Sequence, residues 1–271
     1  MLASPAARFY LTGRLVVEGR RLLDQSDLPG RQGRLALVYL VAHRHRPVRV
    51  EELAAALWGD DLPRSWEPSL RVIVSKLRTA LDGAGAGVLR RDSGCYHALL
   101  GSSWVDLEAA ANAVDRAEGA RRGGDDATAW SEATVAAAIT ARPLLDGEDL
   151  AWVDDLRAHL DGLAVRALDV LCEANLARGD HRLAAGAARR LISLAPFREA
   201  GYRHLMRAEA AAGDPAEALQ VYRRLRLLLD EELGSTPAPP TQAVYRELLA
   251  LGAEGGAGAT PDTTSAEPGR Q

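Results

Sequence analysis

Residues 69 to 81 read SLRVIVSKLRTAL, and their types and spacing suit contact with a polyanion. At about 100° per residue, Leu70, Ile73, Val74, Leu77, Ala80 and Leu81 fall on one stripe, the pattern of an amphipathic helix packed on a core. The opposite arc, centred on Ser75, carries Arg71, Val72, Lys76, Arg78 and Thr79 and no carboxylate. An ordinary solvated face mixes in Asp or Glu for i,i+4 pairing. Here the first acids lie outside the stretch, at Glu67 and Asp82. Arg, Lys, Ser and Thr hold phosphates and base edges, and a small apolar side chain such as Val72 can meet a thymine methyl. A merely solvated basic face has the same composition, so the neighbouring elements must decide between the two.

Little else in the chain has the makings of a site. No pair of carboxylates, Cys-His set or phosphate loop stands out, so an enzyme is not expected. GAGAG at 83–87 follows a helical stretch and precedes a strand, the reverse of the dinucleotide-binding order, and no G-K-[ST] follows it. His43 and His45 stand two apart, so on a helix they point to different sides, and no acidic or Cys partner is close in sequence. Cys95 and Cys172 are the only cysteines. They support neither a disulfide framework nor a Cys-rich zinc module, and no metal or cofactor is expected.

The 271 residues suffice for two ordinary domains. The net charge of -4 conceals an asymmetry. Residues 1–105 carry 15 Arg/Lys against 10 Asp/Glu, a net of +5, whereas the remainder carries 18 against 27, a net of -9. A basic N-terminal part fits a polyanion, and the acidic remainder resists non-specific adhesion to it. The opening residues lack the apolar segment of a secretory signal, and LALVYLVA at 35–42 is too short to span a bilayer. A cytoplasmic protein without membrane contact is the expectation.

The elements around the basic helix are those of a winged helix. FYLTGRLVVEGRRLL, broken at Gly13 and Gly19, predicts a small antiparallel sheet. LPGRQGRLALVYLVAHR predicts a helix that is apolar nearly all round, and VEELAAALWG a second helix stopped at Gly59. The polar loop DDLPRSWEP leads into the basic helix, whose start Ser65 and Pro68 mark. Three helices in this order, the last basic, outline a helix-turn-helix variant. VLRRDSGCYHALL then reads as two strands about a three-residue D-S-G loop, with Arg90 and Arg91 entering it, as in a DNA-binding wing.

From residue 106 onward a period of 34 emerges. ARGDHRLAAGAARRLISL at 177 matches AAGDPAEALQVYRRLRLL at 211, aligning Gly179 and Asp180 with Gly213 and Asp214, and Ala184 with Ala218. This is the tetratricopeptide period, with G-D between helices and a small residue where they cross. Residues 123–139 repeat the turn-then-helix plan out of phase. Such stacked pairs expose a concave surface suited to another protein. Residues 252–271 contain no large apolar residue beyond this point and read as a disordered tail. The expected fold is therefore mainly α with a small β component: a winged helix-turn-helix over 1–105, a tetratricopeptide-like helical domain over 106–251, and the tail.

LPGRQGRLAL, VEELAAALWGDDLP, SLRVIVSKLRTAL and GCYHALL, followed by LISLAPFREAGYRHLMRAEAAAGDPAEALQVYRRLRLLLDEELG, resemble the SARP family of antibiotic-regulatory activators. The resemblance covers about residues 8 to 250. It implies an OmpR-type winged helix joined to a bacterial transcriptional activator domain, binding direct repeats of double-stranded DNA and contacting RNA polymerase. By the resemblance, the reading helix is 68–81, with Arg71, Val72, Ser75, Lys76 and Thr79 toward the groove, while Arg78, Arg90 and Arg91 take phosphates. Asp60, Asp61, Arg64 and Trp66 lie in the loop where the family meets polymerase. Gly94 and Tyr96 match the wing motif, the tyrosine as a packing residue. A homodimer on tandem sites is the family habit. Arg49 stands where the second helix usually has a Ser or Thr cap. With no Walker motif or receiver domain, the implied form is small and stand-alone. The competing expectation is a tetratricopeptide adaptor whose winged helix no longer reads DNA.

Overall fold

The structure, a computed structural model, describes residues 6–256. Packing divides the chain into two units, Met1–Val170 and Leu171–Gln271.

The first unit begins with three short strands, β1 (Arg8–Tyr10), β2 (Val16–Glu18) and β3 (Leu22–Leu23). They alternate in burial, with Phe9, Val17 and Leu23 inside. That alternation is the period-2 signature of a sheet with one face on the core. A 3-10 turn at Gln25–Asp27 leads to α1 (Gly30–Ala42), in which Leu35 through Val41 are all buried. A helix apolar all round has to be central, and this one packs against the elements that follow. These are β4 (Val48–Arg49), α2 (Val50–Trp58), α3 (Trp66–Ala84), β5 (Val88–Asp92), β6 (Cys95–Leu99) and β7 (Trp104–Val105). One sheet has the order β3-β2-β1-β7, the other β4-β6-β5. The first is antiparallel as expected, except that β7 joins β1 in parallel.

Two local expectations are corrected. The hairpin turn has two residues rather than three, because Asp92 still pairs with Cys95, and Ser93 and Gly94 make the bend with φ of 47° and 77°. Two consecutive positive φ values are those of a type I′ turn, whose twist matches that of the strands. Helix α3 starts at Trp66 rather than 68, and Ser65 stands at its N-cap without a side-chain cap bond. Helix α2 lacks the hydroxyl cap, yet its first N–H groups are met in another way. Val50 N–H donates to the Gly94 carbonyl at 3.0 Å, and Arg49 N–H donates to the Glu52 carboxylate at 3.3 Å.

Packing does not part the chain at residue 105. Helices α4 (Asp106–Arg122) and α5 (Asp126–Thr140) belong to the first unit, and α6 (Ala151–Ala177) includes residues of both. Asp106 shows why α4 stays with the sheet. Its fully buried carboxylate accepts the Leu11 N–H, the Thr12 N–H and the Thr12 hydroxyl, each at 2.8 Å, and the Leu107 N–H at 2.9 Å. Burial pushes its pKa above the ordinary carboxylate range, and the bonds from Thr12, Leu11 and Leu107 pull against that rise.

The second unit contains α7 (His181–Leu194), α8 (Glu199–Ala211), α9 (Pro215–Leu233) and α10 (Pro239–Gly256). The 34-residue period is visible in the backbone: Gly179 and Gly213 have φ of 78° and 91°, each just before a helix. Asp214 caps α9 by accepting the Glu217 N–H at 3.0 Å, while Asp180 makes no such bond to α7. Ala184 and Ala218 have no exposed surface, as residues at helix crossings must. Tyr222 and Tyr245 stack with ring centroids 4.0 Å apart, tying α10 to α9. Helix α10 continues to Gly256, so 252–256 of the expected tail are helical, and the rest of the tail lies outside the described residues.

Candidate nucleic-acid interface

Helix α3 separates its two faces as its sequence predicts. Leu70, Val74, Leu77 and Leu81 are buried, Ile73 is half-buried, and Arg71, Val72, Ser75, Lys76 and Thr79 are exposed. Val72 is 54% exposed, which leaves its methyl groups open to an apolar contact such as a thymine methyl. The exposed arc is less free of acid than its sequence suggests. Glu67, one turn earlier and exposed, reaches Arg71 at 3.3 Å. An exposed i,i+4 pair of this kind is worth only about 0.3 to 0.5 kcal/mol, so a phosphate or base edge can displace it. The Thr79 hydroxyl donates to the Ser75 carbonyl at 3.1 Å, so its hydrogen is spent within the helix and its oxygen remains able to accept.

The wing stands beside this helix, and Arg78 fixes it there. Its Nε donates to the Leu89 carbonyl in β5 at 2.7 Å, and the side chain is half-buried. Sequence reasoning missed this tie because the partner is a backbone oxygen in another element. Arg90 and Arg91 are exposed on β5. Arg90 lies 3.7 Å from Asp92, and the Arg91 guanidinium sits 5.9 Å from the centroid of the Tyr96 ring. Tyr96 itself is 2% exposed, the packing role expected of it. Burial raises its phenol pKa, and Arg91, Arg78 and Arg71 oppose the rise in that order. Cations from helix and wing therefore converge on one region.

The loop from Gly59 to Ser65 exposes Asp60, Asp61 and Arg64. Trp66 is half-buried and forms the first residue of α3 rather than part of the loop. The backbone is turned by Asp61 N–H to the Trp58 carbonyl at 3.1 Å and Trp66 N–H to the Pro63 carbonyl at 3.0 Å.

A partly exposed network ties α2 to α1 and the segment after it. Glu52 accepts Arg46 Nη2 at 2.6 Å and the Tyr39 hydroxyl at 2.7 Å. The Arg46 bond, with Tyr39 and the Arg49 N–H, holds the Glu52 carboxyl at about 2. Burial and the same carboxylate push Tyr39 up to about 12. The two histidines of the HRH segment have separate partners: His43 Nδ1 lies 2.8 Å from the Tyr39 carbonyl and His45 Nε2 2.9 Å from Glu108.

A family comparison fits this arrangement. The bacterial transcriptional activator domain matches residues 105–249, more than half of the chain. The chain belongs to that family. The match begins at the residue where the expected DNA-binding module ends. Relatives extend the likeness over the basic module too. Regulatory protein AfsR of Streptomyces coelicolor is 31% identical over 249 residues, covering 91% of this chain and 24% of its own length. Transcriptional regulatory protein EmbR of Mycobacterium tuberculosis is 28% identical over 220 residues, covering 80% of this chain and 57% of its own. The chain thus spans about a quarter of the first relative and just over half of the second. The solved structure of M. tuberculosis EmbR in complex with a low-affinity phosphopeptide is similar at a TM-score of 0.77 and 25% identity, over 91% of this chain and 65% of that one. The resemblance to the SARP activators is borne out, and these relatives are named as regulatory proteins. Among the described residues, no helix is long and apolar enough to cross a membrane.

Proposed function

We propose that this chain is a sequence-specific DNA-binding transcriptional regulator, acting as an activator on direct repeats near promoters. One observation carries the reading: α3 exposes Arg71, Val72, Ser75, Lys76 and Thr79 on a single arc, with the arginine-bearing wing tied alongside by Arg78. A helix of this kind fits a major groove, where Arg reads guanine bidentately and Val meets thymine methyls. The wing cations Arg90 and Arg91 then lie against backbone or minor groove. Family membership and the regulatory relatives support the same reading.

The finer parts rest on the same footing. RNA polymerase is the partner for Asp60, Asp61, Arg64 and Trp66, and two copies bind side by side on tandem sites. The test is a selection on random duplex DNA with purified protein, followed by anisotropy on the enriched sequence across a salt series. Enrichment of a short repeated element, with steep salt dependence, is expected. Absence of any enriched element refutes the reader and favours a protein adaptor built on the helical repeats.

A further inference from the structure

We infer that the β2–β3 hairpin is a second backbone clamp, in which Arg21 grips DNA phosphate on the flank of α3 opposite the wing. The inference rests on the DNA-reading proposal and adds a contact that the basic helix and wing do not supply.

Helix geometry defines the two flanks. With Ser75 at the centre of the exposed arc, Arg71 and Arg78 lie about 40° and 60° to one side, whereas Thr79, Lys76 and Ala80 lie about 40°, 100° and 140° to the other. The first flank is the wing side, because Arg78 bonds the Leu89 carbonyl of β5. The second flank faces a shallow depression that Ser75, Lys76, Thr79 and Ala80 line together with Arg21 and Asp27. A duplex seated on α3 presents a phosphate backbone on each side of the major groove, and on this second flank Lys76 is the one cation of the exposed arc, so a further cation beside it would strengthen the grip on that strand.

The hairpin is built to hold Arg21 in place. Arg20 N–H donates to the Ala84 carbonyl at 2.6 Å, using an acceptor that the end of α3 leaves free. Gly19 is required for this approach, since a Cβ there would stand 2.2 Å from the same carbonyl oxygen. A backbone pinned this closely to the helix end carries Arg21 with α3 as one body. The Arg21 side chain is exposed, as is Lys76 across the depression. Together they form a two-cation cradle for one phosphate. Asp27 is the unfavourable member. Its carboxylate accepts the Asp24 N–H at 3.0 Å, and its charge lowers the attraction.

The experiment compares full-length Arg21→Ala, Arg21→Lys and Asp27→Asn with the wild type on the selected duplex, from 50 to 200 mM salt. Losing one phosphate contact makes the slope of log K against log salt shallower by about 0.9, so the affinity ratio of wild type to Arg21→Ala changes by about 3.5-fold across that range. Base preference is expected to stay unchanged, Arg21→Lys to restore the wild-type slope, and Asp27→Asn to bind more tightly. An Arg21→Ala slope equal to that of the wild type overturns the clamp, even while Arg71→Ala and Arg90→Ala weaken binding and so uphold the reader. If none of the three weakens binding, reader and clamp fall together.

Discussion

Replacing Arg78 with alanine separates two roles that the same guanidinium can play. As a phosphate contact it would matter only when DNA is bound. As the tie between α3 and the wing it matters in the free protein, because its Nε donates to the Leu89 carbonyl at 2.7 Å from a half-buried position. A hydrogen bond from a charged donor is worth about 1.5 to 3 kcal/mol. With the site partly wetted, about 1.5 kcal/mol is the expected loss, felt mainly where β5 meets α3. Amide hydrogen exchange over residues 88–99 reads this directly, and protection there should fall about tenfold in Arg78→Ala. A wing released by that amount also costs about tenfold in operator affinity, since the arginines at 90 and 91 are no longer held beside the groove. Arg78→Lys keeps the charge but not the planar fork, so it should retain the salt slope while leaving the wing loosened. Wild-type protection in Arg78→Ala, with a slope shallower by about 0.9, would refute the tie and return Arg78 to the phosphates.

Arg71→Ala should weaken operator binding by about 1 to 3 kcal/mol and relax preference at one base pair, whereas Arg90→Ala should weaken it alike on all sequences with a shallower salt slope. Anisotropy on the selected and scrambled duplexes distinguishes the two. Asp106→Ala strips the Leu11 N–H, the Thr12 N–H and the Thr12 hydroxyl of their buried acceptor, and at about 1 to 3 kcal/mol per unsatisfied group it should cost about 3 kcal/mol or more in a urea melt. Asp106→Asn, which keeps an acceptor oxygen, should cost less, and a wild-type midpoint for Asp106→Ala would contradict the assignment. The Glu52 carboxyl sits at about 2 when folded against an ordinary value of 4.5. Its contribution is therefore complete above pH 4.5 and fades as pH falls toward 2. Half of Arg46 faces water, so about 1 to 2 kcal/mol is expected rather than the full shift. Glu52→Gln should remove that part of the acid sensitivity, measured as melting temperature against pH.

Much of the fold could be read from residue patterns because its signals are local. The stripe of Leu70, Val74, Leu77 and Leu81 specifies a helix with one buried face whatever packs on it. The 34-residue recurrence of Gly-Asp and of Ala184 and Ala218 requires paired helices crossing at small residues. The site residues were legible to the same extent, since exposure follows from the helical period once the core stripe is known.

What the sequence by itself determined is thus the periodicity, the faces and the set of cations available to a polyanion. Only the tertiary structure decided how those cations are used. Glu67 and Arg71 meet across one turn, Arg78 spends its Nε on a backbone carbonyl, and Asp92 and Cys95 stay paired so that Ser93 and Gly94 alone make the turn. Asp106 binds the start of α4 to the residues just after β1 across more than ninety residues, which keeps α4 with the winged helix. Apart from the local Glu67–Arg71 pair, each of these depends on groups distant in sequence or on backbone atoms that every residue shares. No pattern of residue types encodes a partner that is itself a carbonyl or an N–H.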